Sequence, residues 1–200
     1  MILPSHALPF PAPSRSPSGS PSRSARGFLR AAPAVLLLAL PLGACSQSAD
    51  EDAAAASAAL VEQGIAQLTN GEAEKSAETF ERALRLDDRQ HLAHYNLGVL
   101  DQQADHGKDA RAHYEEALEV EPSHGPSLYN LAILTESDDL DEAVRLYRDA
   151  IEAQPGNAAA HMRLGFALSH LGRTTEAEAM LAQGMKLDPS MAEVEAPSYD

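Results

Sequence analysis

A set of residues recurs along this chain at intervals of 34, 34 and 33 positions, and no other feature limits the fold so strongly. The clearest copy is Leu97-Gly98, Ala110, Tyr114, Ala117 and Pro122. One interval back stand Gly64, Ser76, Phe80, Ala83 and Asp88. One interval on stand Leu131-Ala132, Ala143, Tyr147, Ala150 and Pro155, and a last step reaches Leu164-Gly165, Ala177, Leu181, Gly184 and Pro189. Four copies in register over 57–191 describe a unit that cannot bury its apolar face alone and must stack on its neighbours to do so.

Each column has a physical reason. Gly64, Gly98, Ala132 and Gly165 are small because a second helix must approach closely there, and Ala83, Ala117, Ala150 and Gly184 play the same part on that second helix. Phe80, Tyr114, Tyr147 and Leu181 precede those positions by three residues and are predicted to plug the space between adjacent hairpins. Pro122, Pro155 and Pro189 lack an N–H and have a fixed φ, so each ends a helix and opens a turn. Asp88 holds that place in the first copy, a weaker stop.

This pattern resembles the tetratricopeptide repeat (TPR) family. The resemblance implies an all-α fold: an α-solenoid of about four helix-turn-helix repeats, 57–90, 91–124, 125–157 and 158–191, wound as a right-handed superhelix. First helices are predicted over 57–69, 92–103, 127–136 and 158–171, and second helices over 74–86, 108–120, 140–153 and 175–187. Asn70-Gly71, His106-Gly107 and Gly172 supply turns within three pairs. The copies depart from the family pattern in places. His94 and His161 stand where an aromatic or Leu is usual, and Gln63 replaces a usual Leu. The third copy is one residue short between Ala132 and Ala143; its turn is expected to tighten, with the Asp138-Asp139 pair as helix N-cap. Thr175 with Glu178 fits a capping box.

Charge bears on partners. The chain carries a net charge of −15, and residues 1–44 hold four arginines and no acid, so the remainder stands at −19. Such a surface repels phosphate backbones, and nucleic-acid binding is excluded as a primary role. Residues 1–25 form a Pro/Ser/Arg tract expected to be disordered, either as a native extension or because the true start lies downstream. Residues 26–44 read as an export signal: Arg26 and Arg30, an apolar run of about 12 residues, too short to span a bilayer, then small residues. Leu42-Gly43-Ala44-Cys45 resembles the lipobox of bacterial lipoproteins. That resemblance implies cleavage before Cys45, the only cysteine, a diacylglycerol thioether on its sulfur, and a membrane anchor for the mature chain. Ser46, in place of an inner-membrane-retaining Asp, favours the outer membrane. Residues 45–56 read as an acidic tether to the repeats, and 192–200 as a disordered tail too short to cover the last helix. Met180 and Met185 would then be open to a second copy, a possible homodimer.

In the TPR family the first helices line a groove that holds a partner's peptide or helix. Carried over by column, the protein-binding positions are Tyr95, Asn96, Val99, Tyr129, Asn130, Ile133, Met162, Arg163 and Phe166, with Val99, Ile133 and Phe166 equally assignable to packing between repeats. Lysines that would clamp a carboxylate are absent: Ala58, Leu92, Pro126 and Ala159 stand there. The histidines form no His-x-x-Glu-His motif, there is no second thiol, and no cofactor or metal is expected. No Gly-x-Ser-x-Gly, phosphate loop or paired carboxylate points to an enzyme. The sequence thus reads as a lipid-anchored scaffold that binds a segment of a partner protein in the cell envelope, with a self-associating structural lipoprotein or a pilus-assembly-type factor as alternatives.

Overall fold

The computed structural model describes residues 44–199, with side chains from residue 50 onward. The Pro/Ser/Arg tract, the export signal and Leu42-Gly43 of the lipobox lie outside the described residues. Cys45, in the first turn of α1, is defined in its backbone only. Eight α-helices follow in order among the described residues, α1 (Ala44–Thr69), α2 (Ala73–Leu86), α3 (His91–Gln103), α4 (Gly107–Val120), α5 (Gly125–Thr135), α6 (Leu140–Ala153), α7 (Ala158–His170) and α8 (Thr174–Leu187), then a 3-10 turn, Pro189–Glu193. Successive helices pair as hairpins, and each hairpin packs on the next through its second helix. No helix among the described residues is long and apolar enough to cross a membrane.

The core is divided as a stacked array requires. One apolar cluster joins hairpins one and two around Phe80, with Val61, Ala83, Ala93 and Leu97. A second joins two and three around Tyr114, with Ala110 and Leu131. The third joins three and four around Tyr147, with Val144, Leu164 and Leu168. Phe80, Tyr114 and Tyr147 are fully buried where the sequence pattern places them, while Leu181, on the last hairpin, is only half-buried. Hydroxyls tie the hairpins further: Ser76 Oγ donates to the Gly64 carbonyl at 2.8 Å and Ser57 Oγ to the Ala83 carbonyl at 2.9 Å. Arg111 of α4 reaches the end of α5, donating to the Leu134 carbonyl (2.8 Å), Thr135 Oγ1 (3.0 Å) and Asp138 (2.9 Å). A cation there faces the negative end of the α5 dipole.

Several local expectations are corrected. The stretch 46–56, whose acidic composition suggests a tether, is helical as the first half of α1. Ala53 to Ala56 have the highest helix propensity of any residue and nothing there breaks the ladder; an extended arm of about 35 Å thus becomes a helix of about 16 Å. The missing residue of the third copy does not tighten its turn. It shortens α5 to 11 residues, and Asp139 caps α6 by accepting from the Glu142 N–H at 3.0 Å. The left-handed residue of the second hairpin is Asp105 (φ 62°), with Gly107 already inside α4; a short polar side chain tolerates that conformation. Helix α8 starts one residue early, so Thr175 is not its cap; Arg173 instead pairs with Glu176 at 2.8 Å.

Residues 188–199 turn back onto the array. Asp188 accepts from the Ser190 N–H at 2.9 Å and turns the chain after Pro189. Residues 194–199 then run without helix to pack Tyr199 against the third cluster. Met180 packs on the same cluster, so of the two methionines only Met185 is exposed, beside Leu187.

Candidate functional site

The residues expected to line the inner wall separate into three groups. Asn96 and Met162 are not on a surface at all, at 2% and 4% exposure. Asn96 turns back on its own helix, donating from Nδ2 to the Leu92 carbonyl. Met162 fills the space that Gly184 leaves open, for a Cβ on Gly184 would meet its sulfur at 2.7 Å. A stripe read by column cannot distinguish a residue that faces outward from one turned by about 20° toward the neighbouring helix.

Asn130 and Arg163 form the second group. Each reaches back to the preceding hairpin and serves the tyrosine plug there. Asn130 Nδ2 donates to the Tyr114 hydroxyl at 3.2 Å, and that hydroxyl donates to Gln102 Oε1 at 2.7 Å. One repeat on, the Tyr147 hydroxyl donates to Glu136 Oε1 at 2.6 Å, and Arg163 Nη1 donates to Glu136 Oε2 at 2.8 Å. The sequence reading missed Gln102 and Glu136. The signal was available: they are 34 residues apart, and a buried phenol needs a hydrogen-bond partner where Phe80 and Leu181 do not. Burial raises the Glu136 carboxyl above the usual carboxylate range, with Arg163 and the two phenols pulling the other way. Burial and the Glu136 charge push the Tyr147 phenol far upward. For Arg163, burial opposes the charge, but Glu136 and the surrounding phenols outweigh it and raise it.

Tyr95, Val99, Tyr129, Ile133 and Phe166 form the third group, half-buried and partly open. Tyr95 and Val99 lie over the second cluster, and Tyr129 and Ile133 over the third. The Tyr95 ring is 6.1 Å from Tyr114, and the Tyr129 ring 5.9 Å from Tyr147. Phe166 stands outside all three clusters. Val99 and Ile133 thus pack at the junctions, while Phe166 is half-buried outside them. The chain's own end comes to this place. The Tyr199 ring lies 5.1 Å from His170 at the end of α7. Burial and the nearby Glu136 carboxylate push its phenol up, against the pull of Arg163.

His124 sits at the edge of the same face, its ring 4.9 Å from Tyr95 and 5.3 Å from His91. Burial, then the charge of His91, lower it from 6.5 to about 4. The unfolded chain therefore takes up the proton first as pH falls, so stability is complete above 6.5 and declines through about 4. Partial exposure limits the loss to roughly 2 kcal/mol. His124→Gln is expected to remove that decline, read as the difference between the two proteins' urea midpoints across pH 7 to 4.

Two models of the tetratricopeptide repeat match this chain, over residues 61–100 and 134–196. The chain belongs to the tetratricopeptide repeat family. Its solved structural neighbours agree in fold. The crystal structure of MamA superposes with a TM-score of 0.59 at 21% identity, covering 69% of this chain and 81% of MamA. The pilF structure of Pseudomonas aeruginosa superposes with a TM-score of 0.60 at 22% identity, covering 72% and 66%. Among curated proteins, the human protein O-mannosyl-transferase TMTC2 is 31% identical over 100 residues, 48% of this chain. That match spans 12% of the human protein's length. TPR arrays are protein-interaction scaffolds, and this chain has the stacked hairpins and the half-open aromatic face that such a role uses.

Proposed function

We propose that this TPR chain is a lipid-anchored scaffold of the bacterial envelope that holds an extended segment of a partner protein against the face formed by Tyr95, Tyr129 and Phe166. The observation that carries this is the path of the chain's own C terminus. Residues 194–199 run without helix or strand, and their aromatic Tyr199 seats beside Glu136 and His170. A face that accepts one non-helical segment with an aromatic anchor has the shape and chemistry to accept another. A carboxylate clamp is disfavoured because Arg163, the one cation carried over to that face, is already paired with Glu136. Binding rather than catalysis is the role that follows.

The anchor rests on the sequence: the apolar run, the lipobox-like Leu42-Gly43-Ala44-Cys45 and the single thiol. Helix α1 begins at Ala44, so a chain cleaved before Cys45 would start at the helix and keep the repeats close to the membrane. Two or three acyl chains, each buried methylene contributing about 0.8 kcal/mol, would hold it there, facing the periplasm from the outer membrane. Self-association is a second reading, favoured by Met185 and Leu187, 38% and 39% exposed on the last helix.

One experiment tests the proposal in the native cell. A photo-crosslinking residue is placed at Phe166 or, as control, at the exposed Arg82 of α2, with and without Cys45→Ser. A discrete partner adduct is expected from Phe166 alone, and loss of fatty-acid label and of membrane fractionation from Cys45→Ser. Equal adducts at both positions would refute the binding face, and an unchanged label in the mutant would refute the anchor. An adduct at twice the chain's own mass would favour the dimer.

A further inference from the structure

The histidines set aside on sequence grounds do not scatter. His94 on α3 and His113 with Glu116 on α4 bring their ligating atoms within 4.8 Å of one another. Glu116 Oε2 lies 2.8 Å from His94 Nδ1 and 3.2 Å from His113 Nδ1. Ligands of a tetrahedral zinc ion, at bonds of 2.0–2.1 Å, stand about 3.3 Å apart. Both carboxylate–imidazole separations are thus near that spacing, and the third pair lies within 4.8 Å.

The tautomer of His94 gives the cluster its direction. Its Nε2 lies 3.0 Å from the carbonyl oxygen of Asp88, and a carbonyl only accepts, so Nε2 carries the proton. In the neutral ring Nδ1 is then a bare lone pair. That nitrogen is buried and makes no aligned hydrogen bond, although a carboxylate oxygen is 2.8 Å away. A lone pair against an anion is an unfavourable contact unless a proton or a metal cation lies between them. His161 separates this arrangement from an ordinary property of the repeat. It occupies the same column, ties Nε2 to the Pro155 carbonyl at 3.1 Å, and also leaves Nδ1 buried and unpartnered. The carbonyl bond is thus the repeat's way of fastening its turn. Only at His94 do a second imidazole and a carboxylate converge on the free nitrogen.

The surroundings match a metal centre. Asp101 stands behind His113, Oδ2 being 3.7 Å from Nε2, on the side from which a carboxylate that moved closer would orient the imidazole. His94 has the Asp88 carbonyl in that role. His113 and Glu116 border a cleft of about 600 Å³ between α2, α3 and α4, whose lining also includes Glu81, Asp101 and Asp109 against the single cation Arg85. We propose that His94 Nδ1, His113 Nδ1 and Glu116 form a zinc site with the fourth position open to the cleft. Two neutral imidazoles and one carboxylate are a donor set that zinc takes readily, and the open position leaves room for water or a ligand from a partner.

The test uses the full chain, stripped with chelator, and zinc alone. Calorimetry is expected to give one zinc per chain. Cobalt(II) is expected to give the intense visible absorption of a four-coordinate site, displaced by zinc. His113→Ala and Glu116→Gln, both partly exposed and able to fold, should each weaken binding by at least about tenfold, while His170→Ala leaves it unchanged. Absence of binding by the wild-type chain overturns the proposal, as does an affinity that His113→Ala and Glu116→Gln do not alter. A cobalt spectrum of six-coordinate character would overturn it without recourse to any variant.

Discussion

Tyr147→Ala is expected to destabilise the array by about 5 kcal/mol, enough to detach its last hairpin. Tyr147 is fully buried at the joint between hairpins three and four, packed with Val144, Leu164 and Leu168. Removing a buried aromatic ring costs roughly 3–5 kcal/mol in lost transfer energy and cavity. The hydroxyl adds to this, because it donates to Glu136 Oε1 at 2.6 Å. Without it the carboxylate keeps Arg163 and the neighbouring Tyr199 phenol. Tyr147→Phe isolates that second part and is expected to cost about 2 kcal/mol, the range for a hydrogen bond to a charged group. The location shapes the outcome as much as the magnitude. In a stacked array, stability is a sum over hairpins and the joints between them, so a broken joint releases what lies beyond it. Urea unfolding followed by circular dichroism should show an early step for Tyr147→Ala. Hydrogen exchange should show lost protection in α7 and α8 while α1 to α4 keep theirs. A single transition with uniform loss across all eight helices would mean that the array unfolds as one body.

Gly98→Val should have the next largest effect, about 3 kcal/mol. A Cβ at that position would meet Tyr114 Cε1 at 2.7 Å and the Ala110 carbonyl oxygen at 3.2 Å. The ring cannot swing away, since Tyr114 is fully buried and its hydroxyl is held by Gln102 and Asn130. Overpacking a core in this way costs roughly 1–3 kcal/mol, and a branched side chain brings two further methyl groups into the contact. Gly98→Ala should cost less, because the better helix propensity of Ala returns about 1 kcal/mol. Gly107→Ala is the control: nothing lies within 4 Å of a Cβ there, and it should leave the thermal midpoint level or slightly higher. If Gly98→Val matched Gly107→Ala, close approach would not be the reason for the small column.

The repeat period was enough to specify the class of fold, the number of hairpins and the identity of the plugs. These depend on side-chain size at fixed intervals, and a stacked array repeats the same local packing, so a linear pattern carries it in full. Helix limits were legible to within one residue from 57 onward, apart from the start of α5, which lies two residues early, because prolines and turn residues punctuate them. What no column could express was orientation about each helix axis and contact between distant segments. Asn96 and Arg163 occupy the same column of the supposed wall, yet one is buried against its own backbone and the other is locked to Glu136. The return of Tyr199 to His170 of α7 and the meeting of His94 with His113 and Glu116 join residues 19 to 29 positions apart. Their spacing in the chain follows no period, and only the rotation of each helix against its neighbour brings them together.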